Sequence, residues 1–251
     1  RLLAAVQRER RGGLELLRET LSVVPRGRTA AGGFIVREVP PSVLEGRSTL
    51  VPWFALTHPS REGGDPLLVS LARRERGGLP GFVKHKLLRP FLRAWMTSAL
   101  EQGWTPEAHA QNLLVQLDRH GGLTGRFFVR DLEGVYADLA FIEQAHPRCA
   151  DVVRSLPRVR NLADDYDQLE LSRGCRSSLH TYFLAGPIWH LERAGRARAR
   201  GTFRRLFLAE LEACMQVASK RAPGRSAANP EAFAEWIFDE RARRTPRPRL
   251  P

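Results

Sequence analysis

Residues 104–134 decide how this chain is read. They run Trp104-Thr-Pro-Glu107-Ala-His109-Ala-Gln111-Asn112-Leu-Leu-Val-Gln-Leu-Asp118, then a glycine-rich stretch with Gly121, Gly122 and Gly125, then Arg126-Phe-Phe-Val-Arg130-Asp131-Leu-Glu-Gly134. Two apolar runs flank the glycines, and glycine takes the positive-φ conformations that chain reversals need, so the pattern predicts a β-hairpin. Antiparallel pairing sets the start of the first strand beside the end of the second. Glu107 and Asn112 are therefore expected near Asp131. Two carboxylates and an amide oxygen make a hard, oxygen-rich set of the kind Mg²⁺ prefers, often together with substrate phosphates. Arg130 and His109 add cationic or hydrogen-bonding groups suited to a polyanion.

The pair Glu107-Ala-His109-Ala-Gln111-Asn112 and Arg130-Asp131-Leu-Glu-Gly134 resembles the motifs of the NRPS-independent siderophore synthetases, the IucA/IucC aerobactin synthetase family. The resemblance implies an enzyme that activates a carboxylate such as citrate with ATP and passes the acyl group to an amine or hydroxyl. It implies Glu107, Asn112 and Asp131 as Mg²⁺ ligands. It places His109 and Arg130 in catalytic roles, and Gln111, Asn112 and Lys220 at the nucleotide. Softer matches lie at 33–38, at Lys220 and at Asn229-Pro230. The family's phosphate-binding Ser/Thr-Arg and Lys residues lie far upstream of its first motif. Here 106 residues precede Glu107, and no such cluster stands among them. The expectation is a folded half-site with little activity alone, or a divergent member.

The same segment is also similar to the catalytic segment of choline-kinase and aminoglycoside phosphotransferases. There an Asp fills the place of Glu107 as base, and an Asn and a later Asp hold Mg²⁺. Both resemblances imply a Mg²⁺–ATP site and differ in the fate of the phosphates. The Gln111-Asn112 pair and the Glu at 107 favour the synthetase.

Composition bounds the rest. The chain has 251 residues, 43% hydrophobic, enough for a full core. It opens at Arg1 in mid-pattern, which reads as the carboxyl-terminal part of a longer enzyme. The expected fold is α+β and mainly helical over 1–244. The resemblances imply that a small antiparallel hairpin carrying the site packs on helices in a palm-like domain, remotely similar to a kinase C-lobe; 245–251 read as a basic Pro/Arg tail. The net charge of +13 suits polyanionic partners, from nucleic acid to small phosphates and carboxylates. Much of the excess is local: six Arg lie in 193–205 and five in 240–251. This reads chiefly as solvated basic surface, and no nucleic-acid motif with interleaved aromatics accompanies it. The partners that the synthetase resemblance implies are a small carboxylate and an amine or alcohol, with a homodimer left open. Three scattered cysteines, Cys149, Cys175 and Cys214, form no Cys-x-x-Cys pair and fit a reducing cytoplasm. No apolar run reaches the length of a membrane span.

Along the chain, 2–21 reads as helix broken at Gly12-Gly13, 34–39 as strand and 49–57 as a second strand. His58-Pro59-Ser60 opens a surface turn, and 66–74 is a short helix. Residues 84–102 form the clearest helix, with Leu88, Phe91, Leu92, Trp95 and Leu100 on one face. Trp95 and Trp104 read as core, and Lys84 and His85 as surface. Helices are also expected over 151–160, 177–193, 201–220 and 231–243. The third of these carries a core stripe of Phe203, Leu206, Phe207, Leu211, Cys214 and Ala218. The acidic stretch 161–170 lacks the glycine and terminal glutamate of an EF-hand.

Overall fold

The computed structural model describes residues 2–9, 12–23, 33–59, 63–75, 78–106, 110–131, 136–137, 139–149, 151–152 and 201–221. Its centre is a four-stranded sheet in the order β1-β7-β6-β4, formed by β1 (Glu15–Leu16), β4 (Ser48–Pro52), β6 (Leu113–Asp118) and β7 (Leu123–Val129). The expected hairpin is its middle pair, with Leu113 opposite Val129 and Val115 opposite Phe127. Asp118 closes the turn, its carboxylate accepting the backbone N–H groups of His120 at 2.8 Å and Gly122 at 2.9 Å. Those two bonds hold the Asp118 carboxyl below its usual range.

The sheet is larger and less uniform than an antiparallel hairpin. β4 pairs antiparallel with β6, Pro52 opposite Leu114, and β1 joins β7 in parallel. Residues 2–21 are accordingly not one broken helix. α1 (Leu2–Glu9) ends before Gly12, and the chain then enters β1 and β2 (Glu19–Val23). Gly13 admits this path because it lies tight against the long helix. A Cβ there would fall 2.5 Å from Gln102 Oε1 and 2.6 Å from Ser98 Oγ. Ser98 Oγ also accepts the Leu14 N–H at 2.9 Å.

The expected strand over 49–57 divides. β4 stops at Pro52, whose φ of −58° and ψ of 140° launch α3 (Trp53–Thr57). Proline fits there because it has no N–H to give a ladder and its fixed φ suits a helix entry. α2 (Pro41–Leu44) precedes β4, and α4 (Leu67–Ala72) matches the short helix read near 66–74.

The clearest predicted helix begins earlier than expected, at 78, and is not regular. α5 (Gly78–Phe82) passes into a π-helical turn (Val83–Leu88), then α6 (Arg89–Met96), then a second π turn (Thr97–Glu101). Each wide turn shifts the stripe around the axis, which keeps Val83, Leu87, Leu88, Phe91, Leu92, Trp95, Met96 and Ala99 all buried. Phe91 is the hub, with ring centroids 5.4 Å from Phe127 and 6.4 Å from Trp53. α8 (Thr202–Arg221) closes the core from the other side with Phe203, Phe207, Leu211 and Cys214 buried, as the stripe predicts.

The strands alternate faces. Leu113, Val115, Leu117, Phe127 and Val129 meet the helices, while Leu114 and Phe128 form a smaller cluster with Leu17 on the opposite face. Arg126 lies over the Phe128 ring at 5.2 Å and grips Glu15 with two 2.6 Å bonds. Gln116, buried on this second face, donates to Ser42 and Ser48 and accepts from Thr124.

Two smaller ribbons complete the description. β5 (Trp104–Thr105) pairs with β8 (Tyr136–Ala137), followed by α7 (Leu139–Ala145) and a 3-10 turn (Pro147–Cys149). His146, at the predicted break, is buried with Nε2 3.0 Å from the Glu101 carbonyl. β2 pairs antiparallel with β3 (Phe34–Arg37), which matches the upstream strand. Leu21, Val23, Phe34 and Val36 share one face of that ribbon and are all exposed. The predicted helices over 177–193 and 231–243, the acidic stretch 161–170 and the Pro/Arg tail lie outside the described residues.

Candidate active site

All four strands of the central sheet bring chemistry to the same end. β6 starts there and β7 finishes there, so Asn112 and Asp131 meet: Asn112 Nδ2 donates to Asp131 Oδ2 at 3.5 Å. The ladder continues one step past the strands, with the Arg130 N–H on the Asn112 carbonyl at 3.0 Å. Being antiparallel to β6, β4 ends at this edge too, and the Phe54 N–H that follows it donates to the Ala110 carbonyl at 3.2 Å. β1 runs parallel to β7 and delivers Arg18 to the same side, after Leu17 N–H bonds the Val129 carbonyl at 2.9 Å.

Below this rim the floor is apolar and closed, since Leu113, Leu114, Phe128 and Val129 are all buried. Above it the side chains reach solvent. Asn112 and Arg130 are half-buried, and Gln111 and Asp131 are exposed. Asp131 has φ +65°, the one non-glycine in the left-handed region among the described residues. That conformation is costly for an L-residue and is tolerated best by Asn and Asp. It turns the chain sharply out of β7.

The expected trio is thus present in two of its members. Glu107 and His109 lie outside the described residues. Lys220 lies in the last turn of α8, and its side chain is outside the described set as well. Among the described residues no group of three His, Cys, Asp or Glu comes together. The Asn112–Asp131 pair has the donor chemistry for a hard cation, an amide oxygen and a carboxylate. The amide nitrogen now faces the carboxylate, so a shared ion needs the half-turn that exchanges the two ends of the amide.

Sequence reasoning missed a second charged group, away from this edge. Glu210 is buried on the core stripe of α8. Its carboxylate takes Arg89 Nε at 2.6 Å, Arg89 Nη2 at 3.1 Å and Lys84 Nζ at 3.1 Å. The Arg89 hydrogen bonds hold the Glu210 carboxyl below its usual range and raise Arg89. Lys84 is therefore a structural partner rather than a plain surface charge. The available signal was position: Glu210 sits between Phe207 and Leu211, where a charge needs an opposite charge to be buried. Cys149 and Cys214 are buried thiols, and burial pushes that of Cys214 up.

The same fold occurs in proteins of siderophore biosynthesis. The petrobactin biosynthesis protein AsbB from Bacillus anthracis matches at a TM-score of 0.63 and 17% identity, covering 94% of this chain and 40% of that one. The aerobactin synthetase IucC from a hypervirulent pathotype of Klebsiella pneumoniae matches at 0.59 and 17%, covering 89% and 39%. The ATP-bound aerobactin synthetase IucA from the same source matches at 0.61 and 16%, covering 95% and 44%. The chain thus spans about two-fifths of the length of these structures. The resemblance read from the two motifs is borne out at the level of fold. A family model described as "ferric iron reductase FhuF-like transporter" matches residues 85–245, and the chain belongs to that family. Comparison with curated proteins finds no match. No helix among the described residues is long and apolar enough to cross a membrane.

Proposed function

We propose that this chain carries the nucleotide- and metal-binding part of an ATP-dependent ligase of siderophore biosynthesis. In this reading the enzyme adenylates a carboxylate such as citrate, releases pyrophosphate, and condenses the acyl group with an amine or hydroxyl. The observation that carries the proposal is the meeting of Asn112 and Asp131 at the rim of the sheet, where the Arg130 N–H is held on the Asn112 carbonyl. The shared fold supports it, since one structural neighbour is an aerobactin synthetase described with ATP bound.

Mg²⁺, when bound, supplies charge neutralisation to the phosphates, and Asn112 and Asp131 together with Glu107 would hold it. Arg130 sets a fixed cation beside the same anion, a preorganised charge that costs no rearrangement as negative charge develops on the transferred group. Gln111 orients the nucleotide from the preceding position. His109 orients the carboxylate or takes the proton of the attacking nucleophile, a role open to imidazole as a general base. Residues 1–244 then form the palm-like portion of the enzyme, with Lys220 facing the nucleotide. A cytoplasmic setting suits its use of ATP.

The test is product identity with the complete enzyme. Given ATP, citrate and hydroxylamine as the nucleophile, hydroxamate formation with AMP and pyrophosphate released is the expected outcome. Asn112→Ala and Asp131→Ala are each expected to reduce it at least a hundredfold, on the scale of losing one charge-stabilising group. ADP as the product would transfer the site to a phosphotransferase. Full turnover in either variant would remove the metal assignment. The family description carries a second reading, reduction of ferric iron. Reduction of a ferric siderophore by an added electron donor, without ATP consumption, would select it.

A further inference from the structure

The exposed residues of α3 lie at the same sheet edge as Asn112 and Asp131, and the proposed reaction gives them no role. Phe54 is an aromatic residue 39% exposed to solvent. It is held there from three sides. Trp53, its neighbour, is fully buried against Phe91. The Phe54 N–H is fixed on the Ala110 carbonyl, two residues before Asn112. The Phe54 carbonyl accepts the His58 N–H at 3.0 Å and lies 2.9 Å from His58 Nδ1. His58, one helical turn on, packs edge-to-face on Phe54 with centroids 5.9 Å apart and an interplanar angle of 89°. The result is a rigid, solvent-facing ring pair at the β4 side of the edge. At the β7 and β1 side stand the cations Arg130 and Arg18, the latter in a long ion pair with Glu38 at 4.0 Å. The edge is therefore polarised, aromatic at one end and cationic at the other.

We propose that Phe54 and His58 form the wall against which the base of the bound nucleotide lies, so that the nucleotide runs along the strand ends from α3 to Asp131. This rests on the nucleotide reading above and adds its direction. β7 and β4 are two strand spacings apart, about 10 Å, the reach of a ribose and its phosphates. A purine has a π-face for the rings and no charge to satisfy, whereas the phosphates need Arg130 and the Asn112–Asp131 pair. The opposite orientation would set a polyanion on an apolar ring and a neutral base among cations.

The experiment is calorimetric binding of Mg·ATP and of Mg·tripolyphosphate, which lacks base and sugar, to the complete enzyme and its variants. The unsubstituted chain is expected to bind ATP more tightly than tripolyphosphate. Phe54→Ala should weaken ATP binding about tenfold or more, the scale of one lost stacking partner, and leave tripolyphosphate unchanged. Phe54→Trp, which keeps a stacking face, should restore ATP binding, and that rescue separates contact with the base from a structural role. Asp131→Ala should weaken both ligands. ATP bound equally well by Phe54→Ala and the unsubstituted chain would overturn the base wall and leave the nucleotide reading intact. A complete, unsubstituted enzyme that binds neither ligand would overturn the nucleotide reading itself.

Discussion

Asp131 combines two demands that are usually met by different residues. Its carboxylate faces Asn112, and its backbone sits at φ +65°. Glycine would satisfy the backbone and remove the carboxylate. Asp131→Gly is therefore expected to keep its stability within about 1 kcal/mol while losing nucleotide binding, whereas Asp131→Val should lose binding and a further 1–2 kcal/mol or so of stability. Thermal melts with and without Mg·ATP check both. The Asn112–Asp131 contact was legible in the sequence because the two residues are joined by a single hairpin, and its glycine turn and flanking apolar runs are local signals. Arg130 follows from the same register. Phe54 and His58 were not legible as neighbours of that pair. Their approach depends on β4 joining β6, and nothing in the composition of 49–57 marks where strand gives way to helix except Pro52.

At the scale of elements, α8 is latched to the long helix by Glu210, whose partners are 121 residues away in Arg89 and 126 in Lys84. The sequence reading of α8 found the apolar stripe, which has a period, and missed the ion group, which has none. Glu210 is held below its ordinary pKa in the folded chain. The sign follows: its contribution is fully present above the unfolded value of about 4.3 and is lost as pH falls through the lower folded value. Glu210→Gln is expected to cost about 1–3 kcal/mol at neutral pH. That is less than a fully buried pair, because Arg89 and Lys84 are each about one-third exposed. The variant should also flatten the acid limb of a stability–pH curve, a chemical-denaturation measurement. Gly13 offers a second test. With polar atoms at 2.5 and 2.6 Å from an ideal Cβ, Gly13→Ala should destabilise by roughly 1–3 kcal/mol through overpacking. The parallel β1–β7 pairing that brings Gly13 there spans more than a hundred residues, which explains why 2–21 looked helical in isolation.

For the whole molecule, the class of fold could be read from its motifs and its patterning, and the mixed sheet could not. Alternation identifies a strand, but not which strand it will lie beside. The broad +13 charge adds little to the description of the site, whose cations among the described residues are the individually placed Arg18 and Arg130. The ribbon of β2 and β3 has a different kind of consequence. Two strands alone are marginally stable in water, and here Leu21, Val23, Phe34 and Val36 form a greasy strip at 52%, 39%, 57% and 43% exposure. Produced by itself, the polypeptide should be colloidally poor, clumping as concentration rises despite its abundant arginines. Exchanging Leu21 and Phe34 for threonine should raise the concentration at which light scattering begins, without moving the melting temperature of the rest by more than a few degrees.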